Sequence, residues 1–140
     1  MHLEREEALR RGAAADHGVL ATLNRTGAAD LVPACFAIAD GWLAVPIDTI
    51  KPKGSTALGR VRNLERDPRA TFLVEEWDPA DWSRLWWVRL SLVRGEPPTV
   101  DLATRLEEAL RGRYPQYATA SFESLITFRI ERVAGWSAGS

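Results

Sequence analysis

The sequence predicts a small antiparallel β-barrel decorated by helices, a mainly β fold of α+β layout. About six short apolar or β-branched runs stand against two or three helical segments. The runs lack the strand and helix alternation of a parallel sheet, and no repeat or linker divides the 140 residues. We therefore expect one domain over residues 1–140, with one site or a site shared between subunits.

Composition narrows the classes of partner and compartment. The formal net charge of −1 provides no global basic field, so nucleic acid is not an expected partner. Cys35 is the only cysteine, which rules out a disulfide within the chain and suits a reducing compartment. The opening "MHLEREEALRRG" is charged, and no apolar run has membrane length. We expect a cytoplasmic protein without a membrane partner.

The first half of the chain reads as a helix followed by three strands. Residues 3–15 have helical character, and "GVLATLN", "ADLVPACFAIA" and "WLAVPID" are strand-like runs separated by "RTGA" and "DG" turn signals. We interpret them as a meander of three antiparallel strands. Pro33 and Pro46 remove a ladder donor from the second and third runs, which indicates sheet edges or bulges.

The second half of the chain contains two predicted helices and three predicted strands. A helix capped by Ser55 or Thr56 should end at Asp67-Pro68, and "RATFLVEEW" and "SRLWWVRLSLVRG" follow as strands. "VDLATRLEEALRGRYPQY" predicts a helix that ends before Pro115. The last strand, "SLITFRIERV", alternates apolar and polar residues. The helix before Pro115 has an apolar stripe of Leu102, Leu106 and Leu110. The last strand has an apolar face of Ile126, Phe128 and Ile130.

The types of catalytic group available are few. His2 and His17 are the only histidines, so no histidine-rich metal site is expected, and His17 beside Gly18 is interpreted as a turn residue. The chain has neither a Walker A motif nor a G-x-G-x-x-G loop. No catalytic residue can be assigned, and an enzyme of this composition would rely on a bound cofactor.

A local surplus of positive charge lies between residues 51 and 69. This segment contains six cationic residues and only two acidic residues, Glu65 and Asp67. Cations before and within the first turns of a helix favour an anion site, because the helix N-terminus already offers free N–H groups. The alternative is a solvated helix face, which the Lys-Pro-Lys loop makes less favourable. The six cations are Lys51, Lys53, Arg60, Arg62, Arg66 and Arg69.

The stretch "DWSRLWWVRL" concentrates three of the six tryptophans. Strand alternation places Arg84 and Trp86 on one face and Trp87 and Arg89 on the other. Neither face is wholly polar, so one should cover the barrel interior and the other a subunit partner or a ligand. Core and interface packing explain the tryptophans equally well, but a buried guanidinium needs a partner.

The segment "VRNLERDPRATFLVEEWDPADWSRLWWVRL" resembles the split β-barrel proteins of the pyridoxamine 5'-phosphate oxidase class, with an FMN-binding-protein-like fold. Within that class it is similar to the deazaflavin-dependent (coenzyme F420) oxidoreductases. The similar features are a basic residue three before Asn-Leu, the Asp-Pro before the next strand, the tryptophan-rich strand and the closing "FRIERVAGW". The resemblance extends from about His17 to Trp136.

The resemblance implies a homodimer with the cofactor at the subunit interface. Arg60 stands at the position of the family's basic phosphate ligand, with Lys51 and Lys53 in the loop before it. The ring or ribityl portion would lie along the third strand, and further contacts would come from the tryptophan strand or the facing subunit. The residues implied for these two roles are Pro46, Ile47 and Asp48, and Arg84, Trp86 and Trp87.

The sequence departs from that family's pattern at two places. Arg60 replaces a frequent lysine, and "EPPTV" after Gly95 cannot continue as a paired strand, which leaves the rim of the substrate pocket undefined.

The cationic surplus favours the deazaflavin with its carboxylate-rich tail over FMN. We expect an F420H2-dependent reductase of a small organic substrate. The alternatives are an FMN-binding oxidase or reductase of the same fold and a non-catalytic F420 carrier.

Overall fold

The structure is a computed structural model that describes residues 1–47, 55–119, 122 and 125–139, with the backbone alone for 55–58. The helices are α1 (Arg5–Ala14), α2 (Ser55–Arg66) and α3 (Val100–Arg113), and a 3-10 turn spans Pro115–Tyr117. The strands are β1 (Gly18–Leu23), β2 (Ala29–Ala34), β3 (Ala37–Ala39), β4 (Trp42–Pro46), β5 (Arg69–Asp78), β6 (Asp81–Arg94) and β7 (Leu125–Ser137).

All seven strands belong to one antiparallel sheet in the order β2-β1-β5-β6-β7-β4-β3. The two edge strands, β2 and β3, are separated in the chain only by Cys35 and Phe36. Because so short a link joins the two edges, the sheet must curl until they approach each other. The result is a split β-barrel, which confirms the fold class that the sequence predicts.

The main difference from the sequence-based expectation lies in residues 29–39. This run divides at Cys35 and Phe36 into β2 and β3, which gives seven strands instead of about six. The predicted three-stranded meander is therefore wrong, since β1 pairs with β2 and β5 while β3 pairs with β4. Phe36 is fully buried, and its ring centre lies 4.8 Å from that of Phe72. Burying this side chain requires the corner.

Most other boundaries agree with the sequence. The end of α2 before Asp67-Pro68 is confirmed, and Pro33 lies in edge strand β2 as expected. Pro46 is the last residue of β4, an internal strand, where a missing donor breaks the ladder least. Residues 95–98 after β6 form no strand, and Thr99 caps α3 by accepting a hydrogen bond from the backbone N–H of Leu102 at 3.1 Å.

Two clusters of buried side chains hold the fold together. The larger one fills the barrel and includes Leu20, Phe72, Leu90 and Phe128, all with no exposed surface. The smaller one lies outside β3 and β4, where α3 packs its predicted leucine stripe, Leu102, Leu106 and Leu110. Helix α1 lies against β6 and β7, with Gly12 close to Val88. No helix in the described part of the chain is long and apolar enough to cross a bilayer.

Candidate functional site

Among the predicted cofactor-binding residues that the structure describes, those of β4 and those of β6 lie at opposite ends of β7, and Arg60 lies on α2. Pro46 pairs with Leu125, the first residue of that strand, and Trp86 pairs with Ser137, the last one. At about 3.3 Å per residue the two ends lie roughly 40 Å apart along the strand. A single copy of the chain therefore separates the β4 end from the tryptophans of β6.

The first group lies where β4 ends. Pro46 is buried, and Ile47 is half-buried against the barrel core. The chain then enters residues 48–54, which lie outside the described residues and carry Asp48, Lys51 and Lys53. Arg60 follows on α2, where its side chain is half-buried and its Nε atom is shielded from solvent.

Helix α2 is attached to the sheet through a buried amide. The Asn63 side chain is 3% exposed. Its Nδ2 donates to Thr22 Oγ1 and to Asp30 Oδ2, both at 3.0 Å, and its Oδ1 accepts from Arg66 at 2.7 Å. Hydrogen bonds from Asn24 and Asn63 lower the pKa of Asp30, so this carboxylate stays ionised to a more acidic pH than an ordinary aspartate. The amide thus fixes the position of α2, and with it the position of Arg60.

We expect Asn63→Ala to lower the free energy of unfolding by about 1–3 kcal/mol, because the buried hydroxyl of Thr22 and the carboxylate of Asp30 both lose their donor. The pKa of Asp30 should rise in this variant, since one of the bonds that favour its charged form is gone. Urea unfolding at pH 7 and NMR titration of Asp30 measure the two effects. Glu65→Ala, an exposed change on the same helix, should stay within about 0.5 kcal/mol of wild type. Equal losses in both variants would contradict this role of Asn63.

The second group lies on the β5–β6 hairpin. Trp86 is half-buried against the barrel core, and its Nε1 donates to Glu76 Oε2 at 3.2 Å. The other oxygen of Glu76 lies 3.8 Å from the guanidinium of Arg84, which is 61% exposed. Glu76 thus holds an indole and a guanidinium side by side on the inward face of the hairpin. Sequence reasoning missed Glu76.

Trp87 lies on the opposite face, as strand alternation predicts. The guanidinium of Arg89 stands over its ring at 5.3 Å from the centre, and Trp136 is its neighbour on β7. Leu31 and Leu73, on the same outer face, are 67% and 37% exposed. We call this surface of β1, β2, β5, β6 and β7 the open sheet face. In the isolated chain its apolar side chains face solvent, which is unusual for a stable monomer.

The hairpin extends beyond its neighbour on one side. β1 pairs with β5 only as far as Leu73, and the ladder of β5 and β6 continues to Asp78 and Asp81. Two tryptophans near the tip, Trp77 and Trp82, are 52% and 69% exposed. A projecting arm with exposed indoles is suited to contact another molecule.

The other reactive side chains are His17, Tyr114 and Cys35. His17 is exposed, with Nδ1 2.5 Å from Asp16 Oδ1, which supports its interpretation as a turn residue. Tyr114 donates to the backbone carbonyl of Asp16, and burial raises its pKa. Cys35 is half-buried at the corner after β2. Within the described ranges no group of three His, Cys, Asp or Glu side chains could hold a metal ion.

Solved structures with the same architecture exist, although no family model and no curated relative matches the chain. A conserved hypothetical protein from Mycobacterium tuberculosis matches with a TM-score of 0.72 at 21% identity, over 97% of this chain and 86% of the other. A FAD-binding protein from Mesorhizobium loti matches with a TM-score of 0.65 at 18% identity, over 96% of this chain and 95% of the other. A candidate pyridoxamine 5'-phosphate oxidase from Corynebacterium glutamicum matches with a TM-score of 0.59 at 15% identity, over 98% of each chain.

Other chains with this fold are named as heme-binding or heme-storage proteins. Proteins that share one fold often differ in function, and sequence identities this low carry the fold alone. The chain has the split β-barrel fold found in proteins like pyridoxamine 5'-phosphate oxidase.

Proposed function

We propose that this protein is a homodimeric oxidoreductase that binds a deazaflavin, coenzyme F420, between two copies and reduces a small organic substrate. The main support is the distribution of cations on α2. Arg60 is half-buried on one flank of the helix, and Arg62 and Arg66 line a groove on another flank together with Arg25. This supply of guanidinium groups exceeds what one phosphate needs and suits a longer anion.

The separation of the two residue groups supports a site shared between copies. One chain holds the β4 end, which precedes α2 and Arg60 in the sequence, far from Trp86 at the other end of β7. A two-fold symmetric dimer brings one end of each copy against the other end of its partner, which forms two equal sites. The open sheet face provides apolar surface for such a contact, and the projecting hairpin can reach across it.

In this proposal the protein's residues bind, orient and exclude water. Arg60 pairs with the cofactor's phosphate, and Trp86 offers a flat apolar wall held in place by Glu76. The deazaflavin, when bound, supplies a hydride, and a solvent proton completes the reduction of the substrate. No side chain has to act as a nucleophile, which is consistent with two exposed histidines.

FMN binding is the nearest alternative. A FAD-binding protein shares the fold, and FMN presents the same ring, ribityl chain and phosphate without the carboxylate tail. A protein that is yellow as purified and retains FMN would favour this alternative. A non-catalytic deazaflavin carrier is the other one, and steady oxidation of the reduced cofactor in a substrate screen would contradict it.

Reversing the charge at the proposed phosphate site should weaken cofactor binding. We expect Arg60→Glu to raise the Kd for the deazaflavin by about a hundredfold, since an attractive pair becomes a repulsive one. Lys53→Glu, outside the described residues, should act in the same direction. Tryptophan fluorescence titrated with coenzyme F420, FMN or hemin, at low and moderate salt, measures the affinities. Arg5→Glu, an exposed residue on α1, is the matched control and should bind like wild type.

Each outcome of the titration separates the candidates. Quenching by the deazaflavin alone, weakened by salt and by Arg60→Glu, would support the proposal. Saturation by FMN or hemin alone would move the protein to that cofactor. An unchanged deazaflavin affinity in Arg60→Glu would remove Arg60 from the site.

A further inference from the structure

A shallow recess lies on the open sheet face, near the start of β5. Its volume is about 450 Å³. Strand pairing places three small side chains of its lining in one row across β1, β5 and β6, which leaves space above the sheet. A bulky side chain from another molecule can fill such a space. The three residues of the row are Ala21, Thr71 and Ser91.

The recess has an uncompensated cation at its edge. Arg132 of β7 is exposed, and in the part of the chain that the structure describes it makes no ion pair and no side-chain hydrogen bond. The other charged side chains of the lining are paired, Arg69 with Asp67 at 2.7 Å and Glu131 with Arg129 at 2.9 Å. Arg132 is therefore left to attract an acidic group from another molecule.

The tip of the β5–β6 hairpin has complementary properties. Trp77 and Trp82 are 52% and 69% exposed. The carboxylates of Asp78 and Asp81 lie next to them in the chain, and each accepts a hydrogen bond from the backbone N–H two residues further on, at 2.9 and 3.1 Å. These bonds order the acidic side chains beside the indoles. Apolar side chains flanked by acids match a recess of small residues with a free arginine.

Within one chain the hairpin tip cannot reach the recess. Asp78 lies eight residues after Ala70 along β5, roughly 26 Å away at about 3.3 Å per residue. When two copies pack their open sheet faces together, the two-fold axis lies in the plane between the sheets. An axis along the strands puts the tip of one copy over the tip of the other, whereas an axis across the strands puts each tip over the start of β5 in the other copy.

The middle of β5 is suited to an axis across the strands. Val74 lies halfway between Ala70 and Asp78, so an axis at its level brings each tip over a recess. The outward-facing neighbour Leu73 is 37% exposed and would meet its own copy there. On β6 the same level carries Trp87 with the guanidinium of Arg89 over its ring. The axis would thus cross the apolar part of the open sheet face.

We propose that two copies of this chain interlock through their open sheet faces, with each hairpin tip seated in the recess of the other copy. The two-fold axis runs across the strands near Leu73. Trp82 fills the space above the row of small residues, and Asp81 pairs with Arg132 of the partner subunit. A buried tryptophan contributes roughly 150–250 Å², and specific interfaces bury about 1,200–2,000 Å² in total. This inference rests on the homodimer of the proposed function, but it does not depend on which cofactor binds.

Cysteine cross-linking tests the direction of the axis. A short bismaleimide is added to three variants in a Cys35→Ser background, namely Ala80→Cys at the tip, Ser91→Cys in the recess and the two combined. We expect the combined variant to form a cross-linked dimer and the single variants to form none. Leu73→Cys alone should cross-link, because it lies beside the axis. Val100→Cys, exposed on α3, is the control and should not.

Truncating the exposed indole tests its contribution to the contact. We expect Trp82→Ala to raise the dissociation constant of the dimer at least about thirtyfold, which is typical of a tryptophan at the centre of an interface. Val100→Ala removes an exposed apolar side chain elsewhere and should leave the constant unchanged. Sedimentation velocity over a range of protein concentrations, without any cofactor, measures both. Circular dichroism verifies that the variants fold.

The outcomes separate this contact from the proposed function. Cross-linking of Ala80→Cys or Ser91→Cys to itself, or a Trp82→Ala dimer as tight as wild type, would overturn the interlocked arrangement and leave the proposed function intact. The expected cross-links in a protein that binds no deazaflavin would support the arrangement while the proposed cofactor fails. A wild-type protein that stays monomeric would overturn the arrangement, and the fluorescence titration would then decide the cofactor separately.

Discussion

Replacing Gly18 by alanine should lower the free energy of unfolding by about 3 kcal/mol and the Tm by about 10 °C. A Cβ atom at this position would lie 2.3 Å from Cε2 of Phe72 and 2.8 Å from the carbonyl oxygen of Leu73. The ring of Phe72 is fully buried and packs against Phe36, so it cannot swing away. The carbonyl belongs to β5, which is hydrogen-bonded to β1, and moving it would strain the ladder.

The matched control for this substitution is Gly112→Ala on α3. A Cβ atom there meets nothing within 4 Å, and alanine has the higher helix propensity, so stability should be unchanged or raised by up to about 1 kcal/mol. Gly18→Ala should cost less stability when it is added to Phe72→Leu than when it is added to the wild type, because the smaller leucine side chain leaves room for the new Cβ atom. Thermal and urea unfolding measure the stability of these four variants and of the wild type. A Gly18→Ala protein as stable as wild type would contradict the packing at the β1–β5 contact.

Elements whose side chains alternate against one core were predictable from the sequence. Ile126, Phe128 and Ile130 fall on the buried face of β7 as expected, and Leu102, Leu106 and Leu110 form the buried stripe of α3. In both cases the period of the apolar residues depends only on the local backbone geometry. Such patterns identify an element and its buried face without knowledge of its neighbours.

The corner at Cys35 and Phe36 was not predictable in this way. Residues 29–39 read as one apolar strand, but distant contacts bend the chain there. The backbone N–H of Phe36 donates to Tyr114 Oη at 3.1 Å, and this hydroxyl donates to the carbonyl of Asp16 at 2.8 Å. Tyr114 lies 78 residues after Phe36, so no local pattern announces the corner.

For the candidate site, the sequence indicates residue types but does not specify their arrangement. The sequence indicated cations around α2 and an aromatic strand, but the placement of the β4 end and Trp86 at opposite ends of β7 depends on strand pairing. The partnership of Glu76 with Trp86 depends on a register shift between Glu76 and Asp78 in the hairpin, which the sequence does not specify. The groove joins Arg25 to Arg62 through packing of α2 on β1. Each of these juxtapositions is a tertiary property.

Mixing two defective variants should restore cofactor binding if the site is shared between copies. Arg60→Glu damages the α2 end and Arg84→Glu the hairpin end, and each homodimer should bind the deazaflavin at least about tenfold more weakly than wild type. After unfolding and refolding an equal mixture, half of the dimers contain both variants. One of their two sites combines an intact α2 end with an intact hairpin, so about a quarter of the wild-type sites should reappear.

The control mixture joins Arg84→Glu with Trp86→Phe, which carry their changes on the same hairpin. A combined dimer of these two has a damaged hairpin at both sites, so mixing should restore nothing. Titration of the tryptophan fluorescence with coenzyme F420 counts the tight sites, and sedimentation velocity reports the dimer. Normal binding by the Arg84→Glu homodimer would remove the hairpin from the site. Two weak-binding parents whose mixture regains no tight sites would instead place the whole site within one copy, despite the roughly 40 Å along β7 between the β4 end and Trp86.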